Sequence, residues 1–228
     1  MVTEKTGNIF TSKCQTIVNT VNCVGVMGAG IAFEFRIRYP DMYKEYVSLC
    51  DDKKLNIGIL WLYKSTDKWI LNFPTKYHWK YPSQPVYLEK GLQKFVDTYN
   101  SKAITSIAFP LLGVSNGGIP KEQSLEIMHR YLSRCNLEIE IFHYDANAED
   151  DLYQEFKERF LGSSDDYLKR HFGLDVGSIN KLRKALQHDS IYNMSGLLNV
   201  KGLGEKTLEK AFYFARSFHE NEQISLWD

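Results

Sequence analysis

The strongest constraint in this chain lies in residues 15–31. There the apolar run Thr16-Ile17-Val18-Asn19-Thr20-Val21 gives way to Asn22, a loop with Gly25, Gly28 and Gly30, and a helix opening near Ile31. A strand that empties into a glycine loop and a helix has the layout of a phosphate-binding turn. Glycine permits positive φ and close approach of a ligand, and the N–H groups that open a helix have no partner within it. Gly25, Val26, Met27, Gly28, Ala29, Gly30 and Ile31 are therefore candidate contacts for a diphosphate. The spacing is Gly-x-x-Gly-x-Gly, not the Gly-x-Gly-x-x-Gly of a dinucleotide turn, and no acidic residue closes a following strand about 20 residues on. A hydride-transfer enzyme is excluded on that ground.

Two further stretches carry chemistry. Asn72-Phe73-Pro74-Thr75-Lys76 ends a strand at a proline and opens the loop Tyr77-His78-Trp79-Lys80-Tyr81, rich in aromatic rings and lysine. The continuously apolar Ser106–Leu112 has the character of a strand buried on both faces. It feeds a second glycine loop, Gly113-Val114-Ser115-Asn116-Gly117-Gly118, whose backbone N–H groups form a second candidate anion nest.

The remaining pattern is that of strands alternating with helices. Residues 1–10 form an edge strand ending in Asn8 and Ile9, and Ile57–Tyr63 and Lys68–Phe73 form a hairpin across a polar turn. Helices follow Ile31, Asp41, Leu88 and Pro120, a last strand spans Leu137–Tyr144 with Glu138 and Glu140 outward, and a closing helix spans residues 150–161. This predicts an α/β fold with a mixed sheet and a ligand cleft at the C-terminal strand ends. After Gly162 the β signal vanishes and only helices follow, giving two domains, 1–162 and 163–228. A chain of 228 residues accommodates that division, one core of about 150 residues plus an appendage.

Lysine plus arginine equals aspartate plus glutamate at 28 each, so no broad basic face drives nucleic-acid binding and any such contact is local. No run of roughly 18 apolar residues and no export leader is present, so no membrane partner and a cytoplasmic location are expected. The four cysteines lack metal-ligand spacing and are expected to be reduced and buried. The histidines, His219 included, show none either; neither a metal nor a cofactor is expected.

The string Asn22-Cys23-Val24-Gly25-Val26-Met27-Gly28-Ala29-Gly30-Ile31, with Thr6-Gly7-Asn8-Ile9 ahead of it, resembles the macro domain, the three-layer α/β/α fold that binds ADP-ribose. The five residues Asn72–Lys76 resemble most the DNA ADP-ribosyl glycohydrolase antitoxins of the DarT–DarG type. The resemblance implies that Asn8 and Ile9 lie near adenine, that Asn22 contacts the distal ribose, and that Lys76 is needed for turnover. Thr75 and residues 113–118 complete the ADP-ribose contacts, with Tyr144 a candidate for stacking on adenine. Lys76 could act as a free amine forming a Schiff base, or as an ammonium stabilising the departing base. The second loop departs from the family pattern, with Ser115 for a glycine and Pro120-Lys121 for the usual Asp-Trp. Gly117 stands where relatives acting on protein carry aspartate, which puts release from a DNA base ahead.

Leu198-Asn-Val-Lys201-Gly202-Leu203-Gly204-Glu-Lys206-Thr207 resembles a helix-hairpin-helix motif, implying contact of Lys201, Gly202, Gly204, Lys206 and Thr207 with a DNA backbone. The expected partners are thus ADP-ribose or ADP-ribosylated DNA, with a cognate toxin as a further one. The rival readings are a module that binds ADP-ribose without cleaving it, and a hydrolase of ADP-ribosylated protein.

Overall fold

The computed structural model describes residues 1–188 and 190–224, with side chains described as far as residue 217, so the side chain of His219 lies outside the described residues. The chain divides into two compact units, Met1–Tyr144 and Asp145–Asp228.

The first unit is a six-stranded sheet in the order β1-β6-β5-β2-β4-β3. Its strands are β1 (Val2–Gly7), β2 (Thr16–Val21), β3 (Trp61–Lys64), β4 (Trp69–Pro74), β5 (Ser106–Pro110) and β6 (Glu138–Tyr144). All neighbours are parallel except β3 and β4, the hairpin expected from the polar turn. Four helices connect them: α1 (Gly30–Arg38), α2 (Pro40–Asp51), α3 (Pro85–Thr98) and α4 (Lys121–Leu132).

Successive strand residues point to opposite faces, and here both faces are covered. Val18, Phe73, Phe109 and Ile141 join Leu88, Leu92 and Phe95 of α3 and Met128 of α4. Ile17, Ile70, Ala108 and Phe142 join Phe35 of α1 and Met42 and Tyr46 of α2. The unit is thus the expected three-layer sandwich with a mixed sheet.

Several expectations are corrected in detail. β3 starts at Trp61 rather than Ile57. Helix α2 opens at Pro40, where the missing N–H is harmless, and not after Asp41, which lies in its first turn. Glu140, read as outward, is buried, because β6 lies inside a sheet covered on both faces. Burial pushes its carboxyl pKa up, but the Lys5 ion pair and a 2.6 Å hydrogen bond from Ser12 Oγ outweigh this and hold it below the usual value.

The second unit holds five helices among the described residues: α5 (Tyr153–Gly162), α6 (Asp165–Phe172), α7 (Val176–Leu186), α8 (Met194–Leu198) and α9 (Glu205–Ile224). Phe156 and Phe160 of α5 meet Phe214 of α9 edge-on at 5.9 and 5.5 Å. Helix α5 therefore belongs to this unit, and the division falls before it, not at Gly162. Asp150 and Asn193 tie the entry segment down. The Asp150 carboxylate accepts from the N–H of Tyr153 and Met194, and the Asn193 amide donates to the carbonyls of Ala146 and Ala148. Asn193 also caps α8 through its side chain, which accepts from Gly196 N.

The α6–α7 and α8–α9 turns correspond residue for residue. Leu168, Gly173, Leu174, Ser178, Ile179 and Lys181 answer Leu197, Gly202, Leu203, Thr207, Leu208 and Lys210. Both glycines are left-handed. Lys181 Nζ donates to Gly202 O at 3.1 Å, and Lys210 Nζ donates reciprocally to Gly173 O. No helix among the described residues is long and apolar enough to cross a membrane.

Gly91, in the middle of α3, has a packing role that its sequence context does not suggest. An added Cβ would stand 2.2 Å from the ring of Phe73, which is fully buried and has nowhere to swing. Alanine would gain about 1 kcal/mol of helix propensity, against an overpacking cost of about 1–3 kcal/mol. Gly91→Ala is therefore expected to lower the urea midpoint of the first unit; a raised midpoint would show the ring can yield.

Candidate active site

The parallel register of β2 and β4 aligns Val21 with Pro74 and continues past both strand ends. Thr75 N donates to Val21 O at 2.9 Å and Cys23 N donates to Tyr77 O at 3.0 Å. Asn22 and Lys76 are thereby brought to neighbouring positions at the C-terminal edge of the sheet.

The side chain of Asn22 is buried and shapes its own loop. Its Oδ1 accepts from Val24 N at 3.0 Å, and its Nδ2 donates to Val26 O. Tyr46 OH, fully buried on α2, is 2.9 Å from Asn22 O and 3.1 Å from Oδ1. Burial and the neighbouring thiols raise the Tyr46 pKa, so this phenol stays protonated as a donor. Sequence reading missed Tyr46, which looked like one more apolar position of α2.

Beyond Asn22, Gly28, Ala29 and Gly30 are exposed, and α1 begins at Gly30 with no side-chain cap and no acidic residue in its first turn. Its opening N–H groups stay available to an anion. Met27 differs from its expected role: its side chain is fully buried beneath the loop, with Asn19 Nδ2 3.8 Å from its sulfur. Asn19 and Asn72 are a buried amide pair on facing strands, joined at 2.9 Å. Asn19 read from the sequence as an ordinary strand residue, and Asn72 only as the first residue of the motif ending in Lys76.

The second glycine loop follows β5, the other neighbour of β2. A Cβ on Gly117 would stand 2.2 Å from Gly113 O and 2.5 Å from Ser83 Oγ, so only glycine fits there. Ser83 N donates to Gly117 O at 2.9 Å, while its buried Oγ has no partner among the described residues. Ser115, Asn116 and Gly118 are exposed, Val114 is half-buried, and Gly113 is buried. Gly30 of the first loop lies against Asn116, whose Nδ2 would be 2.8 Å from an added Cβ.

Lys76 spans the gap between the loops. Its Nζ donates to Asn116 O and lies 3.5 Å from Trp79 O. Partial burial holds its pKa below the ordinary lysine value. Thr75 beside it is buried. Asn8 and Ile9 are buried after β1, where Asn8 Oδ1 caps a short turn through Phe10 N and Nδ2 has no partner among the described residues. Tyr144 ends β6 opposite Gly7 and is 62% exposed, which leaves its ring accessible.

In the second unit, Lys201, Gly202, Gly204 and Lys206 are exposed, while the Thr207 hydroxyl sits 3.1 Å from Ser178 Oγ. The four cysteines are buried and unpaired, and burial pushes Cys23 up to about 12. Among the described residues no three histidine, cysteine or carboxylate side chains are grouped to hold a metal.

Comparison with known proteins places this geometry. The model of the Macro domain matches residues 18–128. The DNA ADP-ribosyl glycohydrolase of Thermus aquaticus is 42% identical over 118 residues, 50% of this chain and 33% of that protein. The solved macrodomain of Mycobacterium tuberculosis DarG is 36% identical with a TM-score of 0.60, covering 62% of this chain and 97% of that one. Thermosipho africanus DarTG in complex with ADP-ribose is 32% identical with a TM-score of 0.59, covering 65% and 43%. The chain spans about a third of the length of the curated relatives it matches.

The partial burial of the Lys76 amine makes a direct prediction. In a titration of unmodified lysines labelled with carbon-13 at Cε and followed by NMR, the Lys76 signal should have its midpoint below 10.5, the ordinary value. A midpoint at or above that value would mean the amine is solvated or ion-paired.

Proposed function

Because the chain belongs to the macro domain family, we propose that it binds ADP-ribose between its two glycine loops and hydrolyses the bond joining ADP-ribose to a DNA base. The observation that carries this reading is Lys76. A lysine with a depressed pKa stands at the junction of both loops, beside Asn22 and reaching Asn116 O. The pyrophosphate would take the opening N–H groups of α1 and of residues 113–118. Asn22 keeps a second amide hydrogen for the distal ribose while the first holds the loop. Adenine would lie toward Asn8, Ile9 and Tyr144.

Burial favours the uncharged amine, whereas the Asn116 and Trp79 carbonyls that accept from Nζ favour the ammonium, so the site accommodates either route. Two N–H bonds of the neutral amine can point to the Asn116 and Trp79 carbonyls, which leaves its lone pair for attack. The amine adds to C1″ of the distal ribose, the bond to the base nitrogen breaks, and that nitrogen takes the proton lost by lysine. The ribosylamine opens to an imine, and water hydrolyses it to ADP-ribose and the free amine. In the ammonium route Lys76 stays protonated and stabilises the departing nitrogen.

The second unit supports a DNA substrate through the α8–α9 turn, which resembles a helix-hairpin-helix. The corresponding turn before α7 is capped by the Asp175 carboxylate, whereas Gly204 before α9 offers no side chain. We assign Lys201, Gly202, Gly204 and Lys206 as backbone contacts, with Thr207 packed behind them. The relative from Thermosipho africanus named as a fused DNA ADP-ribosyl transferase and glycohydrolase suggests a cognate transferase toxin as the partner whose product this chain removes. Two rivals remain, a reader of ADP-ribose and a hydrolase of ADP-ribosylated protein.

Wild type and Lys76→Ala, offered thymidine-, guanosine- and glutamate-linked ADP-ribose, separate these readings. Release from a nucleoside should fall by about a hundredfold or more in the variant while ADP-ribose still binds. On the amine route, the wild-type rate rises with pH through a midpoint below 10.5, because deprotonation creates the nucleophile. A rate that falls across that midpoint selects the ammonium. Binding without release describes a reader, and release from glutamate alone a protein hydrolase.

A further inference from the structure

The loop after Lys76 carries more exposed aromatic surface than its fold requires. Tyr77, Trp79 and Tyr81 are 56%, 49% and 65% exposed, although all three stand in a segment fastened at both ends. Tyr77 O receives Cys23 N of the first glycine loop, and Ser83 N holds Gly117 O of the second. Within the segment, Tyr81 N donates to His78 O at 3.1 Å and Lys80 N to His78 Nδ1 at 3.2 Å.

The rings are also ordered among themselves. His78 stacks on Trp79 with centroids 5.6 Å apart and planes 25° from parallel, and Tyr81 lies 5.5 Å from His78. Lys80 Nζ sits 5.1 Å from the Trp79 ring centroid. Between Asp67 and Glu89 the sequence contains no carboxylate, so the segment presents only positive charge.

We propose that Tyr77, His78, Trp79, Lys80 and Tyr81 form a stacking platform for single-stranded DNA on either side of the modified base. This rests on, and deepens, the glycohydrolase reading. A base carrying ADP-ribose reaches Lys76 only when taken out of a duplex stack, so its neighbours lose their own stacking partners. Planar rings beside the amine replace those partners, and Lys80 meets the phosphate between them. Base–aromatic stacking tolerates any sequence, because every base has a π face. A peptide would instead ask for carboxylate or backbone partners, and the segment offers it mainly flat rings and a cation.

The test uses the full chain in a Lys201→Ala/Lys206→Ala background, so that the second unit does not mask the effect. The probe is a short, unmodified, fluorescently labelled single strand followed by anisotropy. Trp79→Ala should weaken binding about tenfold, the worth of one base–aromatic stack, and Trp79→Phe should restore most of it. Lys80→Ala should weaken binding and flatten its salt dependence. Free ADP-ribose affinity in Trp79→Ala reports that the neighbouring loops are intact. Equal single-strand binding by wild type and Trp79→Ala, or displacement of the probe by unmodified peptide more readily than by single strand, would overturn the platform. These outcomes are independent of hydrolysis: a chain that binds DNA through Trp79 yet releases no ADP-ribose refutes the glycohydrolase and not the platform. A chain that releases ADP-ribose from an oligonucleotide equally well without Trp79 refutes the platform and not the glycohydrolase.

Discussion

The arrangement depends on the register between β2 and β4. Two parallel strands normally part company where their loops begin, but here the ladder runs on through Thr75 N to Val21 O and Cys23 N to Tyr77 O. That short continuation fixes Asn22 and Lys76 at one level of the sheet edge. Everything else converges on it: Tyr46 braces Asn22 from α2, and Asn116 and Gly117 bring in the second loop from β5. Preorganised donors of this kind act on an anion without reorganising when it binds.

The buried polar groups beneath the site carry the cost of that precision. Asn19 and Asn72 spend one hydrogen bond on each other, and Asn19 Oδ1 and Asn72 Nδ2 have no partner among the described residues. Apolar residues on paired strands would pack at least as well, so burying this amide pair is a cost that packing alone does not explain. The Asn19 amide nitrogen also lies 3.8 Å from the sulfur of the fully buried Met27, which ties the first loop to β2.

Much of this was legible in the residues. Glycine spacing, the strand-ending proline and the apolar run Ser106–Leu112 gave the sheet, its hairpin and its two loops, because alternation and turn chemistry are local signals. What was not legible depended on distant partners. Glu140 read as a solvent-facing carboxylate, and only its place between β1 and β5 explains why it is buried with Ser12. Asn22 read as a ligand group, and only the loop shows that its amide also organises the turn. The unit boundary was misplaced because α5 has the same amphipathic pattern whichever core it joins; Phe156 and Phe160 settle it by meeting Phe214. The reciprocal lysines of the α6–α7 and α8–α9 turns were not read, although Leu168, Gly173, Leu174 and Lys181 recur as Leu197, Gly202, Leu203 and Lys210, because the residues between them differ and the repeat is only two turns long.

The central claim is that three separate segments form a single ADP-ribose site. Hydrogen exchange with and without ADP-ribose tests it most directly. The account predicts slowed exchange together in residues 22–31, 75–77 and 113–118, with the helices of the second unit unchanged. Slowing confined to one of these segments, or found only elsewhere in the chain, would contradict it.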